Sequence, residues 1–148
     1  MAQSLEARLQ RLEDIEEIRR VIMDYGRFLD ARDFKSYANL FAENGTWEGG
    51  FGKFTGPREI EEMIGKAIGG SGPMSRPNYH LMSSPEIDVD GDKATAWSRW
   101  TFVMNNDEDR PVIAAAGEYH DTFVREKGRW KFQRRFAGAP RAPADRQR

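Results

Sequence analysis

The 148-residue sequence contains no cysteine and only two histidines, and its formal net charge is −1. The absence of cysteine excludes disulfide scaffolds, thiolate metal sites and cysteine nucleophiles. The near-neutral charge provides no basic field for a polyanion, so we expect no nucleic-acid partner. No apolar run approaches bilayer-spanning length, and the charged N-terminus lacks the apolar core of a signal peptide. We therefore expect a single cytoplasmic domain that does not bind membranes.

Helical patterns occupy the first half of the chain. Leucine and isoleucine recur at three- and four-residue steps from Ser4 to Asp33, which predicts one long helix. Residues 1–12 suit either a separate helical arm or a contact with a neighbouring subunit. Asp33 is a suitable N-cap for a second helix that runs from Phe34 to Phe41.

A glycine-rich stretch separates the second helix from the third. Residues 46–48 have strand character, but residues 49–56 contain too many glycines for a regular strand and lack the spacing of a phosphate-binding loop. Pro57 is typical of a first helical position and opens the third helix. Two prolines then flank a loop that runs from Gly69 to Pro77.

The second half of the chain predicts four antiparallel strands. Hairpin signals stand at Asp90-Gly91-Asp92 and at Lys127-Gly128, and an acidic, polar turn stands at residues 105–110. These three turns separate strands at residues 78–90, 93–105, 111–125 and 129–137. Helices followed by a run of strands predict an α+β cone, in which three N-terminal helices pack on a curved, mostly antiparallel sheet. The domain is expected to end at residue 138, and residues 139–148 are expected to form a disordered tail.

Several motifs in this order resemble the SnoaL-like branch of the nuclear transport factor two-like superfamily. They are Tyr25-x4-Asp30, His80 ahead of residues 85–87, residues 117–121, and residues 128–130. The chain is similar to the families of scytalone dehydratase, bile-acid 7α-dehydratase and hexachlorocyclohexane dehydrochlorinase. From helical spacing alone, Tyr25 suits a core aromatic equally well, and Asp30 a solvated helix end.

The resemblance implies a cofactor-free lyase in which His80, Asp30 and Tyr25 are catalytic. His80 would remove a proton, Asp30 would orient its ring, and Tyr25 would donate to a carbonyl or leaving group. The resemblance also implies a small-molecule substrate, aromatic or polycyclic, and a homo-oligomer, either a trimer or a dimer. Two histidines on different strands give no metal-ligand spacing, so no metal site is expected.

A second group of residues is expected to contact the substrate, although each of them suits a structural role as well. The sequence departs from the related dehydratases at Met104, where those families place a histidine or an aspartate. His120 would substitute only if it faces the interior, and strand alternation then excludes Tyr119 and Asp121. The candidate substrate-binding residues are Trp47, Trp100, Phe102, Met104, His120 and Arg135.

The direction of His80 depends on a predicted break in its strand. Strict alternation places His80 on the same face as Glu86 and opposite Ile87, which has the character of a core residue. A bulge at Ser83-Ser84-Pro85 would resolve this conflict, because proline cannot donate a hydrogen bond to the neighbouring strand.

The sequence leaves two functional alternatives to the lyase, because a fold does not dictate one function. They are a non-catalytic binding cone and a ketosteroid-isomerase-like isomerase.

Overall fold

A long helix, α1 (Leu5–Asp30), opens the chain, and the computed structural model describes residues 2–141. The side chain of Ser4 caps α1 by accepting a hydrogen bond from the backbone N–H of Ala7 at 3.1 Å. The helix ends three residues earlier than predicted. Arg32 has a φ of 59°, and this left-handed conformation closes many helices.

The two other helices are short and pack beside α1. Helix α2 (Phe34–Ala38) is capped by the side chain of Asp33, which accepts the backbone N–H of Ser36 at 3.1 Å. Helix α3 (Gly56–Ile68) begins one residue before the proline that predicts it. A single 3-10 turn (Pro73–Ser75) lies in the loop after α3.

Seven strands form one mixed, curved and unclosed sheet beneath the three helices. The strand order is β2-β1-β7-β6-β5-β3, and β4 pairs with β5 beyond the end of β3. Strands β1 and β7 pair in parallel, whereas the other neighbours are antiparallel, which confirms the predicted α+β cone. The strands are β1 (Phe41–Gly49), β2 (Gly52–Thr55), β3 (Asn78–Met82), β4 (Glu86–Asp90), β5 (Lys93–Asn105), β6 (Pro111–Glu126) and β7 (Arg129–Gly138).

The predictions for residues 34–56 were partly wrong. Helix α2 stops at Ala38, because Phe41 already belongs to β1 and pairs with Phe132 of β7. Strand β2 forms in the glycine-rich stretch that was not expected to hold a strand. Gly52 takes a φ of 118°, which closes a hairpin, and Phe54 then pairs with Trp47.

The core lies between α1, α3 and the concave face of the sheet. Its largest fully buried apolar side chains are Trp130, Tyr37, Phe41, Phe123, Phe132, Ile18, Ile22 and Ile60. Asp14 fixes α1 to the far end of the sheet, because its carboxylate accepts Trp130 Nε1 at 3.0 Å and Arg125 Nη2 at 2.9 Å. Burial alone would raise the pKa of Asp14, but the hydrogen bonds from Trp130 and Arg125 hold it below its usual value.

The first turns of α1 extend beyond this core. Leu5, Leu9 and Leu12 form an exposed apolar stripe on the first turns of α1. The predicted arm at residues 1–12 and the predicted homo-oligomer stay predictions. Most of the predicted disordered tail lies outside the described residues. Among the described helices, none is long and apolar enough to cross a membrane.

Candidate functional site

Asp30 and His80 lie in direct contact at the junction of α1 and β3. Nδ1 of His80 is 2.8 Å from Oδ1 of Asp30, and the backbone N–H of His80 donates to both carboxylate oxygens at 3.0 and 3.1 Å. Strand β3 is an edge strand, so the Asp30 carboxylate satisfies an N–H that has no strand partner. The His80 and Asp30 side chains are only 12% and 25% exposed.

A one-residue bulge between β3 and β4 directs His80 to the interior, and the predicted break is confirmed. Met82 pairs with Trp100, and Glu86 pairs with Trp97. The chain therefore advances four residues from Met82 to Glu86 while β5 advances only three. The extra residue lies between Ser83 and Glu86, because Ser83 still hydrogen-bonds Arg99: its N–H donates to the Arg99 carbonyl at 3.0 Å and its Oγ accepts the Arg99 N–H at 2.8 Å. The extra residue places His80 and the core residues of β4 on the same side of the sheet.

The ring of His80 packs between α1 and β5. Its centroid lies 4.8 Å from that of Phe102, and on α1 it contacts Asp30, while a Cβ added at Gly26 would lie 3.9 Å from Cβ of His80. Because a carboxylate only accepts hydrogen bonds, the contact with Asp30 places the proton on Nδ1. Within residues 2–141, Nε2 forms no hydrogen bond and keeps its lone pair for a proton.

A cavity of about 370 Å³ lies between α1 and the strands of the sheet. Its lining does not include Asp30 or His80, but it includes Leu29, which precedes Asp30, and Trp100, which lies two residues from Phe102 on the inner face of β5. Asp30 and His80 therefore lie outside the lining itself. The remaining lining residues are Tyr25, Trp47, Gly50, Phe51, Ile64, Ala116, Tyr119, Ala137, Gly138 and Ala139.

Tyr25 is the centre of a buried hydrogen-bond cluster at the wall of the cavity. Its hydroxyl oxygen accepts hydrogen bonds from Trp47 Nε1 at 3.0 Å and from the Tyr37 hydroxyl at 2.9 Å. Burial and the proximity of Tyr25 raise the pKa of both Tyr37 and Tyr119 well above its usual value. These phenols therefore stay neutral at physiological pH and act as hydrogen-bond groups.

Arg135 lies under Tyr25 as half of a fully buried ion pair. Its Nε and Nη2 donate to the two carboxylate oxygens of Asp121 at 2.8 and 2.7 Å. The guanidinium carbon lies 4.2 Å from the ring centroid of Tyr25 and 3.7 Å from that of Tyr119. Burial alone would lower the pKa of Arg135, but the Asp121 carboxylate more than offsets this, so the guanidinium stays charged.

The structure brings together only some of the sequence-predicted site residues. Trp47 and Trp100 line the cavity, and Phe102 packs on His80. Met104 pairs with Asn78 at the far end of β5. His120 lies on the outer face of the sheet, and its Nε2 is 3.4 Å from Glu118, so it is not beside His80. Arg135 is beneath the cavity wall and is not part of its lining.

The sequence patterns do not identify Tyr37 as a site residue, and they leave open which side chains of β6 face the interior. Tyr119 and Asp121 face the interior, together with Phe123 on the same alternation. The size of Phe123 was the signal for this choice, because the most apolar face of a strand turns to the core. No local pattern relates Tyr37 to Tyr25, since their contact depends on the angle between α1 and α2.

Comparison with known proteins identifies the family and the fold. The chain is similar to an NTF2-like protein with a cystatin-like fold from Novosphingobium aromaticivorans, at 28% identity over 97% of this chain and 93% of that one, with a TM-score of 0.84. A scytalone-dehydratase-like protein from the same organism is 26% identical over 86% and 84%, with a TM-score of 0.69. LinA shares the fold at 22% identity over 91% and 94%, with a TM-score of 0.76. A family model described as a SnoaL-like domain matches residues 10–136, and the protein therefore belongs to the SnoaL-like domain family.

Proposed function

We propose that this protein is a cofactor-independent lyase acting on a hydrophobic, aromatic or polycyclic small molecule. The observation that carries the proposal is the 2.8 Å contact between Nδ1 of His80 and Oδ1 of Asp30. A histidine oriented by a carboxylate is suited to proton transfer near neutral pH. The similarity to a scytalone-dehydratase-like protein supports the same class of reaction.

In the proposed reaction, Nε2 of His80 removes a proton from a carbon next to a carbonyl group. The electrons of that C–H bond form a carbon–carbon double bond, and the leaving group departs from the adjacent carbon with its bonding electrons. Asp30 stabilises the imidazolium, which then returns the proton to the departing oxygen. The same base would serve a formaldehyde-releasing reaction by removing the O–H proton of a hydroxymethyl group. The O–H electrons then form the C=O bond of formaldehyde, and the electrons of the broken carbon–carbon bond form a double bond as the leaving group departs from the adjacent carbon with its bonding electrons.

Tyr25 would hold the carbonyl oxygen of the substrate. Trp47 and Tyr37 already donate to its oxygen, so the hydroxyl proton of Tyr25 is its remaining hydrogen-bonding group. Tyr25 also lines the cavity. A donor at this position would stabilise the negative charge that develops on a carbonyl oxygen during proton removal.

A non-catalytic binding cone is the second candidate, and one observation favours it. The lining of the 370 Å³ cavity does not include His80 or Asp30, so a molecule confined to this space would not touch either residue. The lyase requires the substrate to extend past Leu29 and Trp100 to reach Nε2. The two candidates therefore differ in whether removal of the imidazole changes the ligand chemically.

The test is a comparison of activity across β-hydroxy carbonyl, sterol and diaryl-propanoid compounds. We expect His80→Ala to lower kcat/KM about 10²- to 10⁴-fold, the usual contribution of a general base, and Asp30→Asn to lower kcat. His120→Ala is the matched control, because this histidine lies on the outer face of the sheet. Turnover by the wild type that persists unchanged in both site variants would refute the proposal.

A further inference from the structure

Trp100 differs from the other tryptophans of the chain in its indole N–H. The sequence contains four tryptophans, and three of them donate within the fold: Trp47 to Tyr25 at 3.0 Å, Trp97 to Glu118 at 3.4 Å and Trp130 to Asp14 at 3.0 Å. Within residues 2–141, Nε1 of Trp100 is buried and has no hydrogen-bond partner. Buried donors are rarely left without an acceptor, so this N–H points to a missing partner.

The indole of Trp100 is held in a fixed position at the cavity wall. It lies on the inner face of β5 with its centroid 5.9 Å from that of Tyr119, and it lines the cavity. A Cβ at Gly117 would lie 2.6 Å from the indole and 2.1 Å from the backbone oxygen of Gly138. Glycine in mid-strand therefore provides the space that the indole occupies.

Two further polar groups near Tyr119 also lack partners within the described residues. Ser98, which pairs with Tyr119 across β5 and β6, has a buried hydroxyl without a hydrogen bond. Nη1 of Arg135 is likewise buried and unpaired. All three groups on the inner face can donate a hydrogen bond, whereas the fourth buried atom without a partner, Oε1 of Glu118, lies on the outer face. Of the three, Trp100 lines the cavity, and the lining contains no carboxylate. The cavity lining therefore holds a hydrogen-bond donor that has no acceptor within the described residues.

We propose that Nε1 of Trp100 donates a hydrogen bond to an acceptor oxygen, a carbonyl or ether, on an aromatic ligand in this cavity. The ligand's ring fits the lining because Phe51, Trp47 and Tyr119 offer aromatic faces. This inference deepens the proposed function, since it names the group by which the substrate is recognised. Its test depends on binding and does not require turnover.

The first measurement follows the four indole N–H signals of the ¹⁵N-labelled protein by NMR, with the Trp100 signal assigned from Trp100→Phe. Acetophenone carries a carbonyl oxygen, and α-methylstyrene is its isostere without an acceptor. We expect acetophenone to move the Trp100 signal downfield and α-methylstyrene to produce no such downfield shift. The signals of Trp97 and Trp130, which already have partners, serve as internal controls. Equal shifts with both probes, or no binding of either, would overturn the inference.

The second measurement is affinity. Loss of one neutral hydrogen bond weakens binding by about 3- to 10-fold, so we expect Trp100→Phe to weaken acetophenone by that factor and to leave α-methylstyrene unchanged. Trp97→Phe, on the outer face, is the matched control. An equal loss for both probes in Trp100→Phe would show that the ring matters only for packing, and this result contradicts the proposed hydrogen bond.

The outcome is separable from that of the proposed lyase. If His80→Ala keeps the acetophenone-dependent shift of Trp100, the acceptor site stands whether or not the variant has lost activity. If His80→Ala turns over substrate like the wild type while acetophenone still shifts the Trp100 signal downfield, the lyase mechanism is refuted and the acceptor site is not. If the dyad variants lose activity and Trp100 does not distinguish the two probes, the acceptor site fails alone.

Discussion

Replacing Gly26 with alanine tests how closely α1 packs on the strand that carries His80. Gly26 lies in a helix interior, where alanine is more favourable than glycine by about 0.8–1.0 kcal/mol. A Cβ at this position would lie 3.4 Å from Cγ and 3.6 Å from Sδ of Met82, and 3.9 Å from Cβ of His80. These are ordinary van der Waals distances, and Met82 has a flexible side chain that adapts to small changes.

We therefore expect Gly26→Ala to raise the free energy of unfolding by about 1 kcal/mol. For a chain of this size, that gain corresponds to an increase of about 2–4 °C in Tm. Urea denaturation followed by circular dichroism provides the free energy, and thermal unfolding provides the Tm.

Gly65→Ala is the matched control for this prediction. Gly65 lies inside α3, and a Cβ there would meet only Phe34, at 3.8 Å. The control should show the same gain from helix propensity without any contact near His80. A Gly26→Ala protein that is less stable than wild type by more than about 0.5 kcal/mol, beside a stabilised Gly65→Ala protein, would refute the reasoning. It would mean that Met82 and His80 are held too rigidly to accept one methyl group.

Three further predictions concern the rest of the fold. The lowered pKa of Asp14 means that its contribution to stability is complete above its unfolded value of 3.8 and is lost as pH falls through the folded value. The stability difference between wild type and Asp14→Asn should therefore shrink in acid unfolding curves below about pH 4, and a constant difference would contradict this. The raised pKa values of Tyr37 and Tyr119 predict that absorbance titration ionises these phenols only as alkali unfolds the chain, whereas their ionisation in the folded state would count against the burial argument. Gly117→Ala should destabilise the protein by at least about 1–3 kcal/mol in urea, because its Cβ would lie 2.1 Å from the backbone oxygen of Gly138, and wild-type stability would be inconsistent with that contact.

The helices and the sheet class could be predicted because their signals are local. The apolar period of α1 and the cap at Ser4 are properties of neighbouring residues, and both appear in the structure. Strand β2 was missed because its glycines argue against a strand, while its formation depends on pairing with β1. The parallel pairing of β1 with β7 is also invisible locally, since it joins residues far apart in the sequence.

In the candidate site, too, features set by neighbouring residues could be predicted, whereas features set by pairing between distant strands could not. The break after His80 could be predicted, because Pro85 and the change of alternation lie in one short stretch. The pairing of Arg135 with Asp121 could not. Counting back from the turn at residues 127–128 pairs Asp121 with Arg134, but a register shift after Thr122 pairs it with Arg135. A bulge of this kind depends on packing across the sheet and leaves no mark in the strand itself.

The contact between Asp30 and the main chain of residue 80 makes that position replaceable. Two of the three hydrogen bonds that the carboxylate accepts come from the backbone N–H of residue 80. Every amino acid except proline provides this N–H, so the backbone hydrogen bonds between α1 and β3 are kept when the side chain is replaced. Saturation mutagenesis at His80 would therefore vary the reactive group while the scaffold around it stays constant. The same property gives evolution a route from one proton-transfer chemistry to another within a single fold.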